Sequence, residues 1–110
     1  PQDVIITYHH YTPDQFFWQA HNGFASRQEE IDALRKIVKG RRIACSESGY
    51  NMENAELQAE NVVREIELAE INKLEFWTYY QLNNDPNIPE YFGARDHNYQ
   101  WKPVIKSFAS

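Results

Sequence analysis

The chain has 110 residues and a formal net charge of −5, with 42% hydrophobic and 25% charged residues. These values are typical of a folded soluble domain, and the length predicts one domain over residues 1–110. The acidic charge and the absence of a basic stripe argue against nucleic-acid binding. No apolar run reaches the roughly 18 residues that a membrane span needs. The single cysteine, Cys45, excludes a disulfide within the chain and a cysteine-based zinc site.

Two further features bear on origin and function. Pro1 opens the chain without a methionine or a leader, so we expect that its natural beginning is missing. The sequence therefore assigns no compartment, with secretion slightly favoured. Aromatic residues make up 15% of the chain, which is more than a core of this size requires.

The predicted elements alternate between strand and helix along the whole chain. A Ser26–Glu29 capping box begins the first helix, and Gly40 ends it. The second helix has an apolar face and a glutamate-rich face. In chain order we predict strand 3–11, helix 26–39, strand 42–46, helix 52–74, strand 75–82 and a short last helix from 102.

This alternation predicts an α/β fold with a parallel sheet. Two architectures compete: a small open doubly wound sheet, and a partial TIM barrel made of three βα units of a (β/α)8 barrel. An open sheet that binds a nucleotide needs a glycine-rich turn after a strand, and none of the four glycines provides one. A complete barrel takes roughly 250 residues, so three of its eight units take about 94. The length and the long loops after the strands favour the partial barrel.

Strand alternation predicts which side chains face the barrel interior. The polar members of each set fall at the carboxyl end of their strand, where barrels carry their chemistry. The predicted inward residues are Ile5, Thr7, His9 and Tyr11 in the first strand, Ile43, Cys45 and Glu47 in the second, and Trp77 and Tyr79 in the third.

Three motifs carry a family resemblance that covers essentially the whole chain. They are His9-x-Tyr11 at the end of the first strand, Glu47-x-Gly49 at the end of the second, and the segment from "FWTYYQLNND" to "YFGARDHNYQWKP". In this order they resemble strands six, seven and eight of the clan A retaining glycoside hydrolases. Those enzymes are (β/α)8 barrels that cleave β-glycosidic bonds.

The resemblance implies that Glu47 is the catalytic nucleophile, which attacks the anomeric carbon and forms a glycosyl ester. His9 and Tyr11 are the donors that it implies near the nucleophile and the sugar. Position alone leaves the alternative that Glu47 is a surface residue in a loop after the strand. The family's acid/base glutamate ends strand four, which this chain lacks. The resemblance therefore implies a partner segment that supplies strands one to five.

Aromatic residues are candidates for sugar binding, because the C–H faces of a pyranose pack on aromatic rings. Trp18 is a candidate platform in the first loop, against the alternative that it anchors that loop. By resemblance the family's stacking aromatic falls on Tyr79 or Tyr80, although the family often has tryptophan there. Trp77 is expected in the core.

We expect no cofactor and no metal. His9 and His10 are adjacent and point to opposite faces, and no further histidine or cysteine joins them at ligand spacing. His10 is expected to be a packed or solvated histidine. The prediction is thus a glycosidase acting on β-linked oligo- or polysaccharides, incomplete as this chain alone. The alternative is a free-standing carbohydrate-binding or interaction module without catalysis.

Overall fold

The structure is a computed structural model that describes residues 4–11 and 27–108. Within these ranges the elements alternate in the predicted order. They are β1 (Ile5–Tyr11), α1 (Arg27–Val38), β2 (Arg42–Gly49), α2 (Ala55–Ile71), β3 (Trp77–Tyr79) and a 3₁₀ helix (Pro103–Phe108). The predicted last helix is therefore present as 3₁₀ rather than α. Ser26 of the predicted capping box lies outside the described residues.

The three strands form one parallel sheet in the order β1-β2-β3, which confirms the prediction of an α/β fold. β2 is longer than predicted and runs through Glu47 to Gly49. Glu47 therefore lies within a strand rather than in a loop after it. β3 is shorter than predicted, with three residues, although the amide of Tyr80 still donates to the Ser48 carbonyl at 2.6 Å.

The helix ends follow from local chemistry. α1 ends at Val38, and the chain turns away through Gly40, whose φ of 84° is a left-handed conformation that costs glycine little. At the start of α2 the side chain of Asn54 accepts a hydrogen bond from the Leu57 amide at 3.0 Å. α2 is shorter than the predicted 52–74, because the chain turns through Asn72 and Lys73, whose φ is 54°.

A β-bulge in β2 overturns the prediction that Ile43, Cys45 and Glu47 share a face. The register pairs Tyr8 with Cys45 but His9 with Glu47, so Ser46 is an extra residue in β2. An extra residue reverses the direction of the side chains that follow it. Cys45 therefore lies on the opposite face of the sheet from Glu47.

Both helices cover the same face of the sheet. Ile31 and Val38 of α1 form a buried cluster with Ile43 of β2, and Leu68 of α2 packs against the same cluster. Ile43 and Cys45, which are 1% exposed, are thus core residues on the helix side, not inward residues.

A second buried cluster lies between α2, β3 and the 3₁₀ helix. Its members are Tyr50, Val62, Ala94 and Val104, and both Trp77 and Tyr79 pack against it. The prediction of Trp77 as a core residue agrees with this position. The prediction that Trp77 and Tyr79 face inward is wrong, because their rings lie on the helix side of the sheet.

The segment after β3 is held by backbone bridges and by a buried lysine. Arg95 forms bridges with Asn83 and with Trp101. Lys102 is 8% exposed, and its ammonium donates to Asn84 Oδ1 at 3.3 Å and to the Tyr91 carbonyl at 3.0 Å. Burial lowers the pKa of Lys102. Across the described ranges, no helix has the length and apolar character required to span a membrane.

Candidate functional site

The carboxylate of Glu47 lies beside the imidazole of His9. His9 Nε2 is 3.3 Å from Glu47 Oε2, and the two side chains are 60% and 39% exposed. The contact exists because the bulge brings Glu47 to the face of the sheet that carries His9, directly across the β1-β2 pair. A hydrogen on Nε2 would donate to the carboxylate, which is the role that the resemblance implies for His9.

Three aromatic rings form a wall near the carboxyl ends of the same strands. The ring of Tyr11 lies 5.8 Å from that of Tyr80 and 5.7 Å from that of Phe92, and Tyr80 and Phe92 are 5.3 Å apart. All three pairs meet edge to face, the arrangement that aromatic quadrupoles prefer. We call Tyr11, Tyr80 and Phe92 the aromatic wall. Because β1 ends at Tyr11 and β2 at Gly49, this wall and the Glu47–His9 pair lie at the same end of the sheet.

Tyr79 points away from this wall, toward α2. Its hydroxyl donates to the Phe92 carbonyl at 2.5 Å and accepts from Gln58 Nε2 at 3.0 Å. Burial raises the pKa of Tyr79 well above its ordinary value, because the phenolate would be poorly solvated there. Of the two tyrosines that the sequence left open for sugar stacking, Tyr80 lies in the wall and Tyr79 supports it from behind.

The remaining histidine of β1 is a packed residue, as expected. His10 is 3% exposed on the helix side of the sheet, and its Nδ1 lies 2.9 Å from Glu30 Oε1 on α1. His9 and His10 therefore point to opposite faces. In residues 4–11 and 27–108 no group of three or more side chains is arranged to hold a metal ion. Trp18 lies outside the described residues.

Glu75 marks the opposite end of the sheet from Glu47. Its amide donates to the carbonyl of Ile43 near the start of β2 at 2.9 Å, and its carboxylate lies 3.9 Å from Arg42 Nε. Glu75 is therefore not placed to act with Glu47 on one substrate. A groove of about 350 Å³ also lies away from Glu47, between α2 and the 3₁₀ helix, and is lined by Phe76, Trp77 and Phe108 among others.

Two residues of this region were not singled out from the sequence. Phe92 completes the aromatic wall, and Gln58 contacts the backbone behind it. The Phe92-Gly93 pair belongs to a motif of the resemblance, which was the available signal for Phe92. Gln58 sits on a helix rich in polar residues, and its sequence neighbours give no signal of its burial.

Comparisons with protein-family models, with curated proteins and with solved structures give no match for this chain.

Proposed function

We propose that the chain is the C-terminal portion of a retaining glycoside hydrolase barrel and that Glu47 is its nucleophile. The observation that carries the proposal is the meeting of Glu47, His9 and the aromatic wall at the carboxyl end of one parallel sheet. A carboxylate with an adjacent donor can attack an anomeric carbon, and neighbouring rings can hold the sugar. The sequence motifs that resemble this family contain the same residues.

The topology supports a partial barrel. In residues 4–11 and 27–108, sequential parallel strands carry both helices on one face and none on the other, as three βα units of a (β/α)8 barrel would. The edge of β1 and the edge of β3 are where neighbouring strands would continue the sheet. We infer that the partner is a complementary segment with strands one to five, which closes the barrel over Glu47.

The proposed reaction is a double displacement. A carboxylate oxygen of Glu47 forms a bond to the anomeric carbon while the bond to the leaving oxygen breaks. The acid/base of the complementary segment, about 5–5.5 Å from Glu47, gives its proton to that oxygen. Water then attacks the glycosyl ester, the same residue takes the proton of the water, and Glu47 is released as the carboxylate. His9 holds the carboxylate in place through Nε2. No cofactor takes part in this scheme.

The proposed substrate is a β-linked oligo- or polysaccharide. Tyr80, which is 39% exposed, offers a ring on which a pyranose face would pack, and Tyr11 lies beside it. Trp18 is proposed as a second platform, on the sequence alone. Tyr79 enters the site only through the wall that it supports.

The test is Glu47→Gln in the complete barrel, which keeps the size of the side chain and removes the attacking charge. Hydrolysis should fall by several orders of magnitude, and a 2-fluoro glycoside should label the unmodified protein at Glu47. The matched control is Glu75→Gln, at the other end of the sheet, which should keep its activity. Mass spectrometry that places the label on another carboxylate would overturn the assignment.

The exposure of Tyr80 also favours a second candidate, a carbohydrate-binding module without catalysis. Such a module would bind oligosaccharides as an isolated, monodisperse monomer, and Glu47→Gln would leave its affinity nearly unchanged. Labelling of Glu47 by the 2-fluoro glycoside would exclude the module, because a binding module forms no glycosyl ester.

A further inference from the structure

Gln58 is a fully buried amide on α2, with 0% of its surface exposed. Its Nε2 faces four acceptors from three segments of the chain. They are the carbonyl of Tyr50 at 3.2 Å, the hydroxyl of Tyr79 at 3.0 Å, and the carbonyls of Tyr91 at 2.8 Å and Phe92 at 3.3 Å.

The chemistry of these acceptors fixes the orientation of the amide. Three of them are carbonyl oxygens, which only accept hydrogen bonds, so the NH₂ group and not the oxygen of Gln58 must face them. Gln58 Oε1 is buried and has no hydrogen-bond partner in the described part of the chain. A buried polar atom without a partner destabilises the folded state, so the unpaired Oε1 offsets part of the stability that the hydrogen bonds of Nε2 contribute.

Each of the three segments that Gln58 contacts is adjacent in sequence to a residue of the proposed sugar site or contains one. Tyr50 directly follows Gly49 at the end of the strand that carries Glu47. Phe92 contributes its ring to the aromatic wall, and its carbonyl also accepts from the Tyr79 hydroxyl at 2.5 Å. Tyr79 directly precedes Tyr80 of the wall. Gln58 is thus tied to all three segments, from behind the sheet.

We propose that Gln58 is a positioning residue for sugar binding, acting through the backbone of Phe92 and the hydroxyl of Tyr79 on the aromatic wall. The inference rests on the proposed function for its substrate, a β-linked sugar, but the positioning itself is a property of the fold. Gln58 bonds the Phe92 carbonyl and the Tyr79 hydroxyl beside the rings, whereas its bond toward the strand of Glu47 lies three residues farther along, at Tyr50. Its loss should therefore weaken binding more than the chemical step.

The kinetic test is Gln58→Met in the complete barrel, since methionine has a similar length and no donor. We expect KM for a β-linked oligosaccharide to rise about tenfold while kcat stays within about threefold. The matched control is Asn61→Leu. Asn61 is a buried amide one turn later on α2, and it donates to the Leu57 carbonyl at 2.8 Å within the same helix. The Asn61→Leu variant should have a lower melting temperature and an unchanged KM. A rise in KM for the control equal to that for Gln58→Met would overturn the proposal.

A second measurement keeps this result separate from the proposed activity. Nuclear Overhauser contacts among the rings of Tyr11, Tyr80 and Phe92 report the wall directly, with or without hydrolysis. These contacts should weaken in Gln58→Met and persist in Asn61→Leu. If the contacts respond but no variant hydrolyses any glycoside, the positioning role stands and the glycosidase proposal fails.

A milder variant covers the case in which Gln58→Met does not fold. Tyr79→Phe removes the hydroxyl that bonds both Gln58 and the Phe92 carbonyl, and it keeps the ring and the direct contact of Gln58 with that carbonyl. It should weaken the same ring contacts, with a rise in KM of about two- to fivefold. Unchanged ring contacts and unchanged KM in Tyr79→Phe would overturn the positioning role.

Discussion

Gly49 and Tyr80 approach each other so closely that no side chain fits between them. A β-carbon on residue 49 would lie 2.4 Å from the carbonyl oxygen of Tyr80 and 3.1 Å from Cδ1 of Phe92. The φ of Gly49 lies outside the left-handed region, so space and not backbone conformation requires glycine here. The glycine of the Glu47-x-Gly49 motif thus allows the end of β3 and the aromatic wall to close against β2.

Gly49→Ala should therefore destabilise the fold and displace the wall. The backbone carbonyl of Tyr80 cannot rotate away as a side chain would, so we expect a loss of about 2 kcal/mol or more in the free energy of unfolding. Denaturant unfolding of the complete barrel measures it. Gly40→Ala is the comparison, because its β-carbon meets nothing within 4 Å and its cost, about 1 kcal/mol, comes from positive φ alone. Equal losses for the two variants would contradict the steric explanation.

Tyr80→Ala should weaken sugar binding with little effect on stability. The ring is 39% exposed, so its removal leaves only a small cavity, while a stacked sugar would lose roughly 1 kcal/mol of contact. Isothermal titration with a β-linked oligosaccharide on the Glu47→Gln background should show an affinity loss of about five- to tenfold. Tyr99→Ala is the control and should leave the affinity for the oligosaccharide unchanged, since Tyr99 is 54% exposed and its ring lies against Arg95 rather than in the aromatic wall. A large fall in melting temperature for Tyr80→Ala would instead identify Tyr80 as a structural residue.

The loop at 96–100 should become sensitive to acid through Asp96. Asp96 Oδ1 accepts from the amides of Asn98 at 2.8 Å and Gln100 at 3.0 Å. The Gln100 amide first, and then that of Asn98, holds the pKa of Asp96 below its ordinary value of 3.8. A carboxyl whose pKa is lower in the folded state stabilises the fold above its ordinary pKa. That stabilisation is lost as pH falls through the lowered value.

The measurement for Asp96 is the melting temperature as a function of pH. The difference between the unmodified protein and Asp96→Ala should be constant from pH 7 to about 5 and shrink as pH falls below 3.8. Asp96→Asn keeps an oxygen acceptor but has no titrating group. The difference in melting temperature between Asp96→Asn and Asp96→Ala should therefore not shrink over the same pH range. A difference between protein and Asp96→Ala that stays the same down to pH 2.5 would refute the linkage.

The isolated chain should self-associate through the edge of β1 that lies away from β2. In the described part of the chain, β1 pairs with β2 alone, and its residues 4–11 contain neither lysine nor proline to block pairing. We expect aggregates or edge-paired dimers in size-exclusion chromatography with light scattering, and no hydrolysis. Thr7→Lys, at an exposed position of β1, should reduce association. Val63→Lys, at an exposed position of α2, should not. A monodisperse, cooperatively melting monomer would contradict the partial-barrel proposal.

Much of the fold is predictable from local sequence signals. The alternating strands and helices, the parallel sheet and the end of α1 just before Gly40 all follow from periodicity and from turn chemistry. These features depend on the conformational preferences of residues that are close together in the sequence. The proximity of His9 to Glu47 was implied by the family resemblance, whereas the strand parity that placed Glu47 with Cys45 was wrong.

The face of each side chain was less predictable. Nothing in the letters of "RRIACSESGY" marks Ser46 as an extra residue, because a bulge is a property of the strand pair and not of one strand. Trp77 and Tyr79 were likewise assigned to the wrong side, since strand period alone does not say which face meets the helices. The burial of Gln58 depends on contacts with residues 91 and 92, more than 30 positions away.

The bulge at Ser46 also separates β2 into two stretches that can change independently. Before the bulge, Ile43 and Cys45 lie on the helix side of the sheet. After it, Glu47 and Gly49 lie on the face that carries His9. A deletion of Ser46 would remove only the extra residue, because Glu47 would then follow Cys45 directly and still lie opposite His9. Each remaining side chain of β2 would keep the face of the sheet that it occupies now. Deletion of a paired residue such as Ala44 would instead move Cys45 to the face that carries His9, so it should be more damaging than deletion of Ser46.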